Sequence, residues 1–337
     1  MQGMMMERPL LISSLLEHAV DYYGEHEIVS VTADNPAHRT NYREVGKRAK
    51  QLANALTGRF GVKPGDRIAT LAWNDYRHLE IYFGVSGIGA VCHTINPRLF
   101  ADQIVYIVNH TQDRLLFTDP MFVPMVEKLL PNMPTLEHVI VMTSEDGMPN
   151  GAGADHDYLA YDTVIAEQDD DLVWPSFHET TASGLCYTSG TTGHPKGVLY
   201  HHRSTVLHSL AISLPNSLGL SSDEALLPVV PMFHVNAWGT PYACPMTGAK
   251  MVMPGPRLDG ASLHGLMERE QVTLSAGVPT IWAGLLDYCA KESVKLTTLK
   301  KIVIGGSAAP LSMIERFEND HDVEVLHGWG MTEMSPV

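Results

Sequence analysis

The chain is poor in positive charge, in cysteine and in long apolar runs, and each shortage closes off a class of function. Against 38 Asp and Glu stand only 23 Lys and Arg, a formal net charge of -15. A surface of that sign repels nucleic acid and anionic membranes, so neither is an expected partner. A polyanionic ligand would have to be held by local donors and cations working against the overall field. The four cysteines, Cys92, Cys186, Cys244 and Cys289, stand singly with no C-x-x-C pair. That pattern excludes a disulfide framework and points to reduced, mostly buried thiols of a cytoplasmic protein. No run approaches the roughly 20 apolar residues that span a bilayer, so no transmembrane segment is expected. The N-terminal stretch is interrupted by Ser13 and Ser14 and closed by Glu17. It lacks a basic leader and a small-residue cleavage site, so a signal peptide is not expected either.

What is present is an ordinary globular composition, 45% hydrophobic and 18% charged over 337 residues, long enough for two packed units. Apolar spacing predicts a helix over 10–23, a strand over 28–32, a helix over 41–60 and a strand over 67–72, after which helix and strand alternate to residue 142. A second alternating series runs from a strand at 184–188 to one at 323–327. Such alternation implies an α/β fold of mostly parallel sheets covered by helices. Residues 144–156, S-E-D-G-M-P-N-G-A-G-A-D-H, are the most linker-like stretch, which sets the expected units at 1–155 and 156–337. The acidic run Asp169 to Asp171 reads as solvated surface. So does the pair His201 and His202, because adjacent residues do not share a face and no H-E-x-x-H is present.

The densest chemistry lies at Leu185 to Gly197, L-C-Y-T-S-G-T-T-G-H-P-K-G. Hydroxyls at Tyr187, Thr188, Ser189, Thr191 and Thr192 are interleaved with Gly190 and Gly193 and followed by Lys196. Glycines let successive backbone N–H groups converge on an anion, hydroxyls add donors and the lysine adds charge, which describes a polyphosphate cradle. It is not the G-x-x-x-x-G-K-[ST] loop: Pro195 stands where glycine is required and Gly197 where Ser or Thr is required.

Three further stretches carry candidate function. Pro231 to Trp238, P-M-F-H-V-N-A-W, would place His234 and Trp238 on one side if it were helical. Gly305 to Pro310, G-G-S-A-A-P, follows an apolar strand and approximates a hydrolase elbow with Ser307 exposed. Ala309 replaces its last glycine, however, and His327 is too near for the usual order of partners. Gly328 to Glu333, G-W-G-M-T-E, offers a flat aromatic in Trp329, a phosphate donor in Thr332 and an oxygen ligand for magnesium in Glu333.

Tyr187 to Gly197 resembles, at every defined position, the Y-T-S-G-T-T-G-x-P-K-G signature of the adenylate-forming acyl-CoA synthetases. P-x-F-H with its Trp resembles the gate segment of the fatty acyl members. G-W-G-M-T-E resembles their Y-G-x-T-E motif, with Trp in place of the commoner Tyr. V-C-H-T-I-N-P-R-L-F at 91–100 and P-G-P-R-L-D at 254–259 also look like medium- and long-chain fatty acid ligases. The resemblance implies the two-unit N-terminal domain of that family, with ATP, Mg2+ and coenzyme A as cofactors and a carboxylic acid as substrate. It implies nucleotide contacts from Thr188, Ser189, Gly190, Thr191, Thr192, Gly193, Lys196, Gly305, Gly306, Ser307, Trp329, Gly330 and Thr332. It implies acyl contacts from His234, Val235, Trp238 and Gly305, catalytic roles for Lys196, His234, Thr332 and Glu333, and magnesium at Glu333. A homodimer is common among such relatives, but no interface motif accompanies it here. Similar sequences include ligases for methylthiopropionate, so the acyl chain stays open. Members continue past this point into a small lid domain, so a fragment is expected, active or reduced to nucleotide and acyl binding. An amino-acid-activating relative is disfavoured, since His234 follows Phe233 where an acid would hold the ammonium.

Overall fold

The computed structural model describes residues 1, 3–150, 158–188 and 194–335. Among them run the strands β1 (Glu27–Ser30), β2 (His38–Asn41), β3 (Arg67–Leu71), β4 (Val91–Thr94) and β5 (Leu115–Thr118). They continue with β6 (His138–Val141), β7 (Tyr158–Ala160), β8 (Ala182–Thr188), β9 (Lys196–His201) and β10 (Ala225–Pro228). The last four are β11 (Lys250–Met253), β12 (Leu274–Gly277), β13 (Lys301–Ile304) and β14 (Glu324–His327). The helices are α1 (Ser13–Tyr23), α2 (Tyr42–Asn54), α3 (Tyr76–Gly87), α4 (Ala101–Thr111), α5 (Val123–Leu129) and α6 (Tyr161–Ala166). After them come α7 (His202–Ser213), α8 (Thr240–Thr247), α9 (Gly260–Glu270), α10 (Pro279–Glu292) and α11 (Leu311–His321).

Two seven-stranded sheets result. One has the order β14-β13-β12-β10-β11-β1-β2 and the other β7-β6-β5-β3-β4-β8-β9. Both are parallel except at one edge, where β2 pairs antiparallel with β1 and β9 with β8. Neighbouring residues on a strand point to opposite faces, and the cores follow that rule. Ile68, Leu226 and Met251 enter a central cluster with α1, α2, α3 and α8. Leu227 and Val252 turn outward onto α9, α10 and α11. Ala69 and Leu116 turn outward onto α4 and α5. The middle helices are thus shared by both sheets, and the layers alternate helix, sheet, helix, sheet, helix.

Local chemistry sets the helix starts. The side chains of Asn41, Asp75 and Asp259 accept from the backbone N–H of Glu44 (2.9 Å), His78 (2.8 Å) and Ser262 (3.0 Å), each satisfying a donor the first turn leaves free.

The α/β class and the alternation are as expected. β6 and β7 flank the linker-like stretch yet pair within one sheet, and β1 and β2 join the sheet built mainly from β10 to β14. Sheet membership therefore does not follow a break at 155. Strand β2, H-R-T-N, is a polar edge with no apolar alternation, and α8 is hidden by Pro241 and Pro245.

Candidate functional site

The β8–β9 hairpin places Thr188 opposite Lys196 and Tyr187 opposite Gly197. Both Lys196 and Gly197 are exposed. Gly197 is closely packed, since a Cβ there would lie 3.1 Å from both the Tyr187 ring and the Leu185 side chain. The candidate residues Ser189, Gly190, Thr191, Thr192 and Gly193 lie outside the described residues. The two limbs that flank them leave the carboxyl end of β8, the end at which open α/β sheets bind ligands.

Beside this, a cavity of about 540 Å³ gathers most of the remaining candidates. His234, Val235 and Trp238 form one wall, Gly305 and Gly306 another, and Trp329, Gly330 and Thr332 a third. Ile212, Leu218, Val303 and Leu326 add an apolar lining. His234 stands where surrounding protein lowers its pKa below the ordinary imidazole value by desolvation, while its ring surface remains open. A neutral imidazole there can donate one hydrogen bond to a carboxylate oxygen and accept another.

The wall carrying His234 is not a right-handed helix, although His234 and Trp238 do line the same cavity. Val235, Asn236, Ala237 and Trp238 have φ of 45°, 52°, 48° and 56°, and Gly239 follows at 79°. A left-handed turn costs roughly 1–2 kcal/mol per residue for side chains with a Cβ, so the surroundings must hold it. Asn236 Oδ1 accepts from the thiol of Cys186 (3.5 Å) and lies 3.3 Å from the Tyr82 hydroxyl, whose hydrogen goes to the Met232 carbonyl (2.5 Å). The Thr240 hydroxyl donates to the Ala237 carbonyl (2.8 Å). Gly239 crosses His208 so closely that a Cβ would sit 2.5 Å from its Nδ1. Burial pushes His208 down to about 4, which keeps it uncharged beneath the turn. The signal for this turn was present in Asn236 and Gly239, the two types that best tolerate positive φ.

The opposite wall depends on small residues. A Cβ on Gly305 would lie 2.9 Å from the Trp238 ring, so glycine is what lets the indole close the cavity. Gly306 has φ of 79°, and Ser307 beyond it is exposed and does not line the cavity. His327 Nε2 accepts from the Ala309 amide (3.3 Å).

The third wall is tied to the hairpin by a bond that sequence spacing could not show: the buried Tyr200 hydroxyl on β9 donates to the Thr332 carbonyl. Glu333 next to it is exposed, and no cluster of three metal-type ligands occurs among the described residues. One carboxylate still fits magnesium, which is commonly held by one or two carboxylates together with substrate phosphates. His202 departs from its expected place in a solvated turn. It is fully buried, and its Nδ1 accepts from the Ile12 amide (3.1 Å). All four cysteines are free and buried. No helix of the described residues is long and apolar enough to cross a membrane.

Comparison with known proteins places this geometry. A 3-methylmercaptopropionyl-CoA ligase of Ruegeria lacuscaerulensis is 53% identical over 339 residues, covering 100% of this chain and 62% of that protein. A medium-chain-fatty-acid CoA ligase of Ectopseudomonas oleovorans is 50% identical over 336 residues, covering 100% of this chain and 61% of that one. The crystal structure of the anthranilate CoA ligase AuaEII in complex with anthranoyl-AMP superposes with a TM-score of 0.86 at 25% identity, covering 99% of this chain and 62% of that one. The chain thus spans about three fifths of the length of these relatives. The AMP-binding enzyme family model matches residues 16–337, and the chain belongs to the AMP-binding enzyme family.

Proposed function

We propose that the chain carries the nucleotide and acyl sites of an AMP-forming acyl-CoA ligase acting on an apolar carboxylic acid. The supporting observation is the cavity of about 540 Å³ that joins His234, Trp238, Gly305 and Thr332 beside the β8–β9 hairpin. Its aliphatic lining suits an acyl chain, and His234 and Thr332 add a few polar groups to it, the composition usual for small-molecule sites.

In the proposed reaction a carboxylate oxygen bonds to the α-phosphorus of ATP as the bond to pyrophosphate breaks, giving an acyl-adenylate. The thiol of coenzyme A then attacks the acyl carbon and AMP departs. Lys196 and the hairpin N–H groups would hold the phosphates, and His234 would orient the carboxylate. Trp329 would stack the adenine from the open side, and Thr332 would donate to phosphate. Magnesium, held by Glu333 and phosphate oxygens, would neutralise charge on the departing pyrophosphate. Substrates from methylthiopropionate to medium- and long-chain fatty acids are in scope.

The test is ATP-dependent hydroxamate formation over acids of increasing chain length. Product without ATP, or no AMP from any acid, overturns the proposal. A second reading, nucleotide and acyl binding without turnover, is favoured by the 70% exposure of Trp329 on the open side of the cavity. Calorimetric binding of ATP together with an absence of pyrophosphate exchange would select it.

A further inference from the structure

Helix α4 touches both limbs of the hairpin with one face. Tyr106 and His110 are four residues apart and therefore neighbours on its surface. The Tyr187 hydroxyl, on the outgoing limb, is hydrogen-bonded to His110 Nδ1 (2.6 Å) and to the Thr111 hydroxyl (2.9 Å). The ring of His194, on the returning limb, stacks on Tyr106 with centroids 4.4 Å apart and planes 17° from parallel. Tyr106 in turn stacks on His110 at 5.4 Å and 15°. One limb is held by hydrogen bonds and the other by ring stacking, and the two holds meet on adjacent turns of a single helix.

That helix is a firm base. Ile104, Ile107 and Val108 fix it to the sheet through the cluster shared with Ala69 and Leu116. Tyr187 is confined from further sides. Gly197 lies against its ring, and beneath it the His93 ring comes within 5.2 Å, paired through Nδ1 to Asp113 at 2.7 Å with both side chains fully buried.

We infer that α4 is the positioning element of the hairpin, with Tyr106 and His110 as positioning residues that act through His194 and Tyr187 and touch no substrate. The inference rests on the nucleotide reading above for its ligand, but not for its mechanics. Limbs already held in place lose less freedom when a polyphosphate binds, which raises affinity without adding a contact. The clamp therefore acts on ATP and not on the acid, whose cavity is walled mainly by the other sheet.

The test compares Tyr106→Ala, Tyr106→Phe, His110→Ala and His110→Asn in the full chain. Thermal midpoint, amide exchange of Thr188 and Lys196, and KM for ATP and for the acid are measured separately. Tyr106→Ala and His110→Ala are expected to speed exchange at these amides and to raise KM for ATP by about tenfold, with KM for the acid unchanged. Tyr106→Phe keeps the stack and His110→Asn keeps a partner for Tyr187, so both are expected to behave as the parent. If Tyr106→Ala unfolds, His110→Ala against His110→Asn carries the comparison. Unchanged exchange and ATP dependence in the alanine variants, or an equal rise in KM for the acid, overturns the inference. Altered exchange in a chain whose parent binds no ATP supports the clamp and overturns the nucleotide reading alone.

Discussion

Tyr200 on β9, the edge strand of one sheet, donates its hydroxyl hydrogen to the carbonyl of Thr332, just beyond β14, the edge strand of the other. Burial pushes the Tyr200 phenol well above its usual range, so it stays a donor at any working pH. This bond fixes the G-W-G-M-T-E segment relative to the hairpin, and both would face one nucleotide. Tyr200→Phe removes the donor with little change in shape. A neutral hydrogen bond contributes about 0.5–1.5 kcal/mol, so ATP affinity is expected to fall roughly two- to thirteenfold. Calorimetric titration checks this, and an unchanged dissociation constant would show that the tie does not reach the nucleotide.

The cavity wall makes a separate prediction. A Cβ on Gly305 would come 2.9 Å from the Trp238 ring, tighter than packed atoms normally stand. Overpacking of this kind costs about 1–3 kcal/mol, released by moving the indole into the cavity, where the proposed acyl chain would lie. Gly305→Ala is therefore expected to raise KM for longer acids at least several-fold. Pairing it with Trp238→Ala, which removes the clash, should restore much of the loss, and hydroxamate yield across chain lengths is the readout. Equal kinetics for parent and Gly305→Ala would mean that the indole has free room to move.

How far the sequence foretold this arrangement depends on the range of the contacts. Strands such as Leu115–Thr118 and Lys301–Ile304 are short apolar runs bounded by turns, and their type follows from local pattern. The hairpin limbs and the three cavity walls were each visible as motifs, because glycine, aromatic and hydroxyl residues at close spacing have few other uses. What stayed hidden is long-range. Nothing near His38 announces that His38–Asn41 closes the sheet begun by β14, and nothing near Tyr106 announces His194, 88 residues on. Sheet membership is settled by which apolar faces share the central helices, and those partners are far apart in the chain.

The left-handed turn predicts a stability effect independent of ligand. Gly239 has φ of 79°, and a Cβ there would lie 2.5 Å from Nδ1 of the buried His208. Gly239→Ala meets both a conformational and a steric penalty and is expected to cost about 2–4 kcal/mol in chemical denaturation. Gly239→Ala combined with His208→Ala keeps only the conformational part and should recover about half. A single substitution that leaves the denaturation midpoint in place would mean that the turn has an alternative form of equal energy.

Acid sensitivity is expected where the residue before α1 meets the start of α7. The Ile12 amide donates to Nδ1 of His202 (3.1 Å), so Nδ1 must be bare of hydrogen and the proton must sit on Nε2. Burial, helped by the neighbouring His201, pushes His202 down from 6.5 to about 4. The folded state thus favours the neutral ring more than the unfolded state does. Its stabilising contribution is complete above pH 6.5, begins to fall as the unfolded imidazole takes up its proton, and is exhausted as pH drops through about 4. The span of that loss is up to ~3 kcal/mol. His202→Asn supplies an acceptor for Ile12 without a titrating group, so the stability difference between parent and variant should narrow or reverse from pH 6.5 to 4. Other titrating groups are common to both chains and cancel in the difference. Parallel stability profiles for the two chains over this interval would show that His202 is protonated as readily in the folded chain as in the unfolded one.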